Sequence, residues 1–272
     1  MSEYLKKEDY SEPCCPLDMH PETVRIPTSR VIEKLDKYLA ANDYVSAENH
    51  LKYWLGEAEN GHDLRGKLTV LNEQIGLYRK TDKSDEGIKA ISSALALSEE
   101  LGITATVSYA TTLVNAATGY KAFGKADLAL PLYQKARIIY EAELSENDRR
   151  LAGLYNNMAL TVTELGNYRE AEELFLRAIS IMSKQEHGEA ETAVTYLNLA
   201  DLVTVEEGQE KGDEKITSYL VKAEELLNTE DLPRDANYAF ICEKCAPAFG
   251  YYGYYFIEKE LKERARMIYE RS

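Results

Sequence analysis

Cysteine is scarce in this 272-residue chain: Cys14, Cys15, Cys242 and Cys245 are the only four, too few and too unevenly placed for a disulfide framework. The four histidines, His20, His50, His62 and His187, are scattered, and no cysteine, serine or carboxylate stands in a pattern around them that would make a nucleophile and its base. No glycine-rich phosphate loop occurs. The sequence therefore predicts no enzyme and no cofactor. Positive charge is also in deficit, with 32 lysines and arginines against 47 acids and a net charge of −15. Nucleic acid and anionic membranes both need a cationic surface, so neither is expected as the main partner. No apolar run is long enough to span a bilayer. The segment Met1–Tyr10 lacks the apolar core of a signal peptide, and an acidic cytoplasmic protein is the expectation. Tryptophan occurs once and phenylalanine five times, whereas tyrosine occurs 20 times. A tyrosine ring with a polar end suits half-buried grooves and interfaces.

What the chain does have is periodicity. In residues 151–184, Leu151, Tyr155, Met158, Ala159 and Val162 recur at spacings of three and four, as one buried helix face requires. Tyr168, Ala171, Phe175, Ala178 and Ile179 form a second such set after Gly166 and Asn167, which can end a helix and turn the chain. One helical hairpin cannot bury both faces alone, so neighbours are expected. The neighbours are legible as a step of 42 residues, which relates Leu71, Leu113 and Tyr155, then Ile91, Tyr133 and Phe175, then Ala94, Ala136 and Ala178, and also Gly124 and Gly166.

Leu154, Tyr155, Ala159, Gly166, Tyr168, Ala171, Phe175 and Ala178 together resemble a tetratricopeptide repeat. The 42-residue step resembles the long variety found in kinesin light chains and in many bacterial scaffold proteins. The resemblance implies an all-α fold, a right-handed α-α superhelix of about six hairpins. Its units would be 29–61, 62–102, 103–144, 145–184, 187–229 and 231–272, preceded by an extended arm over 1–28 that carries four of the seven prolines. The arm either packs along the first hairpin or lies in a groove, its own or a neighbour's. Trp54 falls where later units have alanine, which marks a modified terminal repeat. The run Glu206 to Glu214 lengthens the fifth hairpin by four residues and reads as a surface insertion. Pro247 should interrupt and kink the first helix of the sixth. Tyr255, which matches Tyr168, is expected in the core, leaving other members of the run from Tyr251 to Phe256 outside as a self-association or partner surface.

The resemblance also implies that the first helix of each unit lines a concave face. One equivalent position on that face carries Glu73, Asn115, Asn157, Asn198 and Lys244. An asparagine side chain presents an acceptor and two donors, so it can pair with both the carbonyl and the amide of an extended peptide. Asn72 and Asn156, one residue earlier, are candidates to join them. Asparagine can equally bridge neighbouring helices inside the stack. Thr118 lies one turn further along; beyond it Arg79 and Lys121, with Lys80, favour a ligand with acidic groups, while Asp201 and Glu164 add negative charge. All of these are also ordinary solvated charges. Cys242 and Cys245 form a C-x-x-C and are weak metal candidates; their register matches Tyr155 and Met158, on a buried face, so no metal site is expected.

Three functions fit this pattern. The first is a non-enzymatic scaffold that clamps an extended protein or peptide segment through Asn115, Asn157 and Asn198. The second is a homo-oligomer whose groove is filled by its own arm. The third is a peptide-sensing regulator similar to the helical-repeat quorum-sensing receptors of Gram-positive bacteria, but without their DNA-binding or effector domain.

Overall fold

The computed structural model describes residues 23–271. Twelve helices and no strand occur among the described residues: α1 (Thr28–Ala40), α2 (Tyr44–Asn60), α3 (Leu64–Lys80), α4 (Ser84–Glu100), α5 (Val107–Ala122), α6 (Ala126–Glu143), α7 (Arg149–Glu164), α8 (Tyr168–Met182), α9 (Glu189–Glu207), α10 (Gln209–Leu227), α11 (Ala236–Tyr251) and α12 (Tyr255–Tyr269). They pair in chain order as hairpins, and the all-α repeat architecture is the one the 42-residue step calls for. The chain divides into two compact units, one ending at Leu144 and one beginning at Ser145.

Helix boundaries follow from short capping signals. The side chains of Asp43, Asp63, Thr106, Asp148, Asn167 and Asp235 accept hydrogen bonds from the free backbone N–H groups at the starts of α2, α3, α5, α7, α8 and α11. Inside most hairpins the turn is three residues long with a left-handed middle residue, at Asn42, Asp82, Gly124, Gly166 and Gly253. Asparagine and aspartate tolerate that conformation better than other residues with a side chain, which explains why the first two turns lack glycine.

In the first unit α3 packs beside α5, and α2 and α4 each pack on the first helix of the next hairpin. The positions that recur in sequence are the positions that close this packing: Leu71, Leu113, Ile91, Tyr133, Ala94 and Ala136 are all buried. The segment before α1 is tied down within the same unit. Val24 N–H donates to the Gly61 carbonyl at 2.8 Å, and Ile26 N–H donates to Oδ2 of the buried Asp63 at 2.9 Å. Asp63 thus caps α3 with one oxygen and anchors the incoming chain with the other, while Ile26 enters the core formed by Leu35, Ala47, Leu51, Ala58, Val70 and Leu77. Residues 1–22 of the expected arm, with Cys14, Cys15 and His20, lie outside the described residues. Trp54, at the alanine register, is half-buried edge-on to His50 and Tyr53.

In the second unit α9 packs on α7, α8, α10 and α11. Three expectations are corrected here. The run from Glu206 to Glu214 is not a loop insertion: α9 and α10 are each 19 residues long, and the turn has shrunk to the single residue Gly208, at φ +83°. Four extra residues add about one helical turn, and a segment rich in glutamate, lysine and glutamine prefers that to coil. The prolonged helices meet closely, because any Cβ at the buried Gly212 would run into the Val203 side chain. Pro247 does not interrupt its helix, since α11 continues to Tyr251; the donor it removes would have met the Glu243 carbonyl, on an exposed side where that carbonyl can turn to water. Tyr255 is not core: it is 70% exposed at the first position of α12, where only Ile257, Leu261, Ala265 and Ile268 fall on the inward stripe. Phe249, Tyr252 and Tyr254 pack inward in its place, and Tyr251 and Phe256 face outward.

The last two hairpins are fastened around the C-terminus of α10. Tyr238 Oη donates to the Leu227 carbonyl at 3.0 Å, Arg264 donates to Tyr238 Oη at 2.9 Å and to Asn228 Oδ1 at 2.7 Å, and Arg234 donates to the Leu227 carbonyl at 2.9 Å. Two guanidinium groups at a helix C-terminus satisfy carbonyls that have no partner inside the helix and complement its dipole.

Candidate functional site

Each unit exposes one strip along its first helices, and the asparagines gather on it in bridged pairs. In the first unit Asn72 on α3 is buried; its Nδ2 donates to the Leu68 carbonyl at 3.0 Å and to Thr112 Oγ1 at 3.1 Å. Its Oδ1 accepts a 2.9 Å bond from Asn115 Nδ2 on the next first helix. In the second unit the arrangement recurs: Asn156 Oδ1 on α7 accepts from Asn198 Nδ2 on α9 at 2.9 Å and from Thr195 Oγ1 at 3.3 Å. In the first unit the earlier residue is buried and the later one half-buried, whereas in the second Asn156 and Asn198 are both half-buried. Asn115 and Asn198 each keep an Oδ1 and one N–H beyond the bridge. Asn157, half-buried beside Asn156, makes no side-chain hydrogen bond among the described residues.

The other residues singled out by sequence separate into surface and support. Thr118 is support: its hydroxyl donates to the Val114 carbonyl at 2.8 Å and lies 2.8 Å from Tyr133 Oη, inside its own hairpin. Arg79 is exposed in the last turn of α3, Lys80 stands over the Tyr44 ring at 5.5 Å, and Lys121 is half-buried near the end of α5. Glu73 is buried, so the asparagine register does not reach the surface in the second repeat, whereas Lys244 is exposed on α11.

One feature of the second unit has no short-range signal in the sequence. Tyr252, at the end of α11, donates to Asp201 Oδ1 on α9 at 2.8 Å and lies 2.8 Å from Thr204 Oγ1. Asp201 is one helical turn beyond Asn198 on the same strip. Partial burial holds its carboxyl above the ordinary aspartate range, with the Tyr252 hydrogen bond pulling the other way. The Tyr252 phenol is itself pushed up, by burial first and also by the Asp201 charge.

The two cysteines of α11 are thiols in the core. Cys242 and Cys245 are both buried, and no group of metal-binding side chains occurs among the described residues. Burial pushes the Cys245 thiol up to about 12, with the neighbouring Cys242 adding to the shift. Since the thiolate is the reactive form, iodoacetamide at mild alkaline pH should leave Cys242 and Cys245 unmodified in the folded protein and label both once guanidinium unfolds it. Peptide mass spectrometry reads the result, and rapid native labelling at either site would contradict this packing.

No described helix is long and apolar enough to cross a membrane. Residues 150–209, which include nearly all of α7, the whole of α8 and α9 and the Asn156–Asn198 pair, match the tetratricopeptide repeat family model. No curated protein sequence matches the chain. Among solved structures, the fold is similar to NprR crystallised with its cognate peptide NprX, with a TM-score of 0.57 at 17% identity over 92% of this chain and 70% of that one. It is also similar to the nearly identical TPR-like repeats of a kinesin-light-chain-type protein from Podosopora anserina, with a TM-score of 0.52 at 16% identity over 74% of this chain and 94% of that one. A Rap protein complexed with competence and sporulation factor is similar at a TM-score of 0.52 and 15% identity, over 88% of this chain and 73% of that one. Residues 150–209 therefore match the tetratricopeptide repeat family, and the chain shares the helical-hairpin fold of these solved repeat proteins.

Proposed function

We propose that the protein is a non-enzymatic scaffold that binds an extended protein or peptide segment, with Asn115 in the first unit and Asn157 and Asn198 in the second pairing with the ligand backbone. The observation that carries this reading is the repeated amide bridge. In both units an asparagine of one hairpin fixes the amide plane of the next hairpin's asparagine, so the ligand-facing donor and acceptor are oriented before anything binds. Orienting them in advance removes part of the entropy that association otherwise costs. Asn72 and Asn156 act as supports, and Thr118 as a strut to Tyr133. Exposed Arg79, with Lys121 near it in register, favours acidic groups in a segment bound to the first unit. The complex of NprR with its cognate peptide and that of Rap with competence and sporulation factor, which share this fold, are in keeping with the same use of it.

The test is a triple variant, Asn115→Ala, Asn157→Ala and Asn198→Ala, measured by fluorescence polarisation against a fluorescein-labelled pool of random decapeptides. Binding should fall at least about tenfold, the effect of losing backbone hydrogen bonds worth roughly 1 kcal/mol each, while the circular dichroism spectrum stays helical. Equal affinity for the two proteins would remove the asparagine mechanism.

A second reading is favoured by one observation, the exposure of Tyr251, Tyr255 and Phe256 at 66%, 70% and 91%. A tyrosine- and phenylalanine-rich patch on the sixth hairpin suits self-association. Light scattering that reports a multimer broken by Phe256→Glu would support it, and a monomer at micromolar concentration would count against it.

A further inference from the structure

Asp201 stands out on the second unit's strip because its carboxylate has been fixed in place without being neutralised. One oxygen is held by the Tyr252 phenol, which also contacts Thr204, so the group bridges α9 and the end of α11. No lysine or arginine among the described residues lies within ion-pair distance of it, and no positive charge contributes to its titration. Lys244 and Glu164 are the nearest charged members of the strip by register, and neither bonds to it. Asp201 is exposed, and its carboxylate, hydrogen-bonded on one oxygen and open on the other, is positioned to accept a charge-assisted bond from a cation.

Its position says what kind of cation. Asn198 and Asp201 are three residues apart on α9, so their side chains are neighbours on one helix face, about 5–6 Å apart at Cβ. An extended peptide advances about 3.3 Å per residue. A ligand whose backbone is gripped by the Asn198 amide therefore presents a side chain from the same residue, or from one or two residues away, to the open oxygen of Asp201. We infer that Asp201, held by Tyr252, is a subsite for a basic group, the ammonium of a lysine or the guanidinium of an arginine, in a peptide bound by Asn198. This subsite rests on the peptide-holding reading and adds a selectivity to it: the second unit reads positive charge, although the whole-chain sequence offers acid-seeking lysines and arginines in the first.

Fluorescein-labelled decapeptide pools, random except for a central lysine, arginine, glutamine or glutamate, test the inference on the full-length protein. The lysine and arginine pools should bind about tenfold more tightly than the glutamine pool, the size of one charge-assisted hydrogen bond, and the glutamate pool should bind most weakly. In Asp201→Asn, which keeps an acceptor for Tyr252, that preference should shrink to within about twofold, and Asp201→Lys should invert it toward glutamate. Tyr252→Phe should reduce the preference without reducing binding of the glutamine pool. Asn198→Ala should weaken every pool alike. Wild-type affinity that is indifferent to the central residue, or a preference that survives Asp201→Asn, overturns the subsite while leaving the amide clamp standing. Binding of no pool at all overturns both.

Discussion

Replacing Tyr133 with alanine should destabilise the first unit by about 4 kcal/mol, in the range found for removing a buried aromatic ring. Tyr133 is fully buried in α6, among the largest side chains with no exposure, and its hydroxyl lies 2.8 Å from Thr118 Oγ1 on α5. Truncation removes the ring that fills the space between the two helices of the third hairpin and leaves the Thr118 hydroxyl with only the Val114 carbonyl. Tyr133→Phe keeps the ring and loses the hydroxyl contact, so it should cost only about 1 kcal/mol. Repeat arrays need not unfold in one step, so a single global transition is the wrong measure. Hydrogen exchange resolved by peptide should instead show α5 and α6 losing protection in Tyr133→Ala. An unchanged exchange pattern would mean that the third hairpin can collapse around the missing ring.

The second large effect concerns the smallest side chains. Ala94, Ala136, Ala178, Ala223 and Ala265 occupy one register of the second helices, each between 0% and 1% exposed. Their methyl groups set how near the helix can lie to its neighbours, so adding three carbons at Ala178 should cost about 3 kcal/mol through overpacking. Leu176, two residues earlier on α8, is 49% exposed, and the reverse change, Leu176→Ala, should move stability by no more than about 0.5 kcal/mol. The comparison isolates position from chemistry, because the two substitutions exchange the same pair of residue types on one helix. Urea unfolding followed by exchange at α7 and α8 reads both. A tolerated Ala178→Leu would mean that the hairpin spacing is not set by that register.

Most of the molecule's architecture was legible because it is periodic. Spacings of three and four mark a buried helix face, and a step of 42 residues shows that each face is covered by a copy of itself. Leu113, Tyr133, Ala136, Phe175 and Ala178 could be picked out as core without coordinates, and all of them are buried. The same logic read Cys242 and Cys245 correctly as packing residues, since register placed them where Tyr155 and Met158 stand, and both pairs are buried. Where the periodicity breaks, register alone misled. Tyr255 sits in the register of Tyr168, which is itself only half-buried at the start of α8, and it faces solvent because the inward stripe of α12 starts at Ile257. Pro247 carries the local signature of a helix break, but one missing donor on an exposed side is too small a loss to end a helix whose other side is buried.

The candidate site divides along the same line. Residue type and spacing were enough to single out Asn115, Asn157 and Asn198 and, one position earlier in the register, Asn72 and Asn156, because equivalent positions in a repeat can be aligned without knowing any distance. Sequence by itself could determine that the chain is a series of helical hairpins and which residues share a face. Only the tertiary structure could decide which of those amides bond to one another, that Thr118 turns into its hairpin, and that Tyr252 reaches 51 positions back to Asp201. Periodicity encodes the direction in which a side chain leaves its helix, and that is a local property; which atom it meets depends on how far apart two helices settle, and that distance is set by all the residues packed between them.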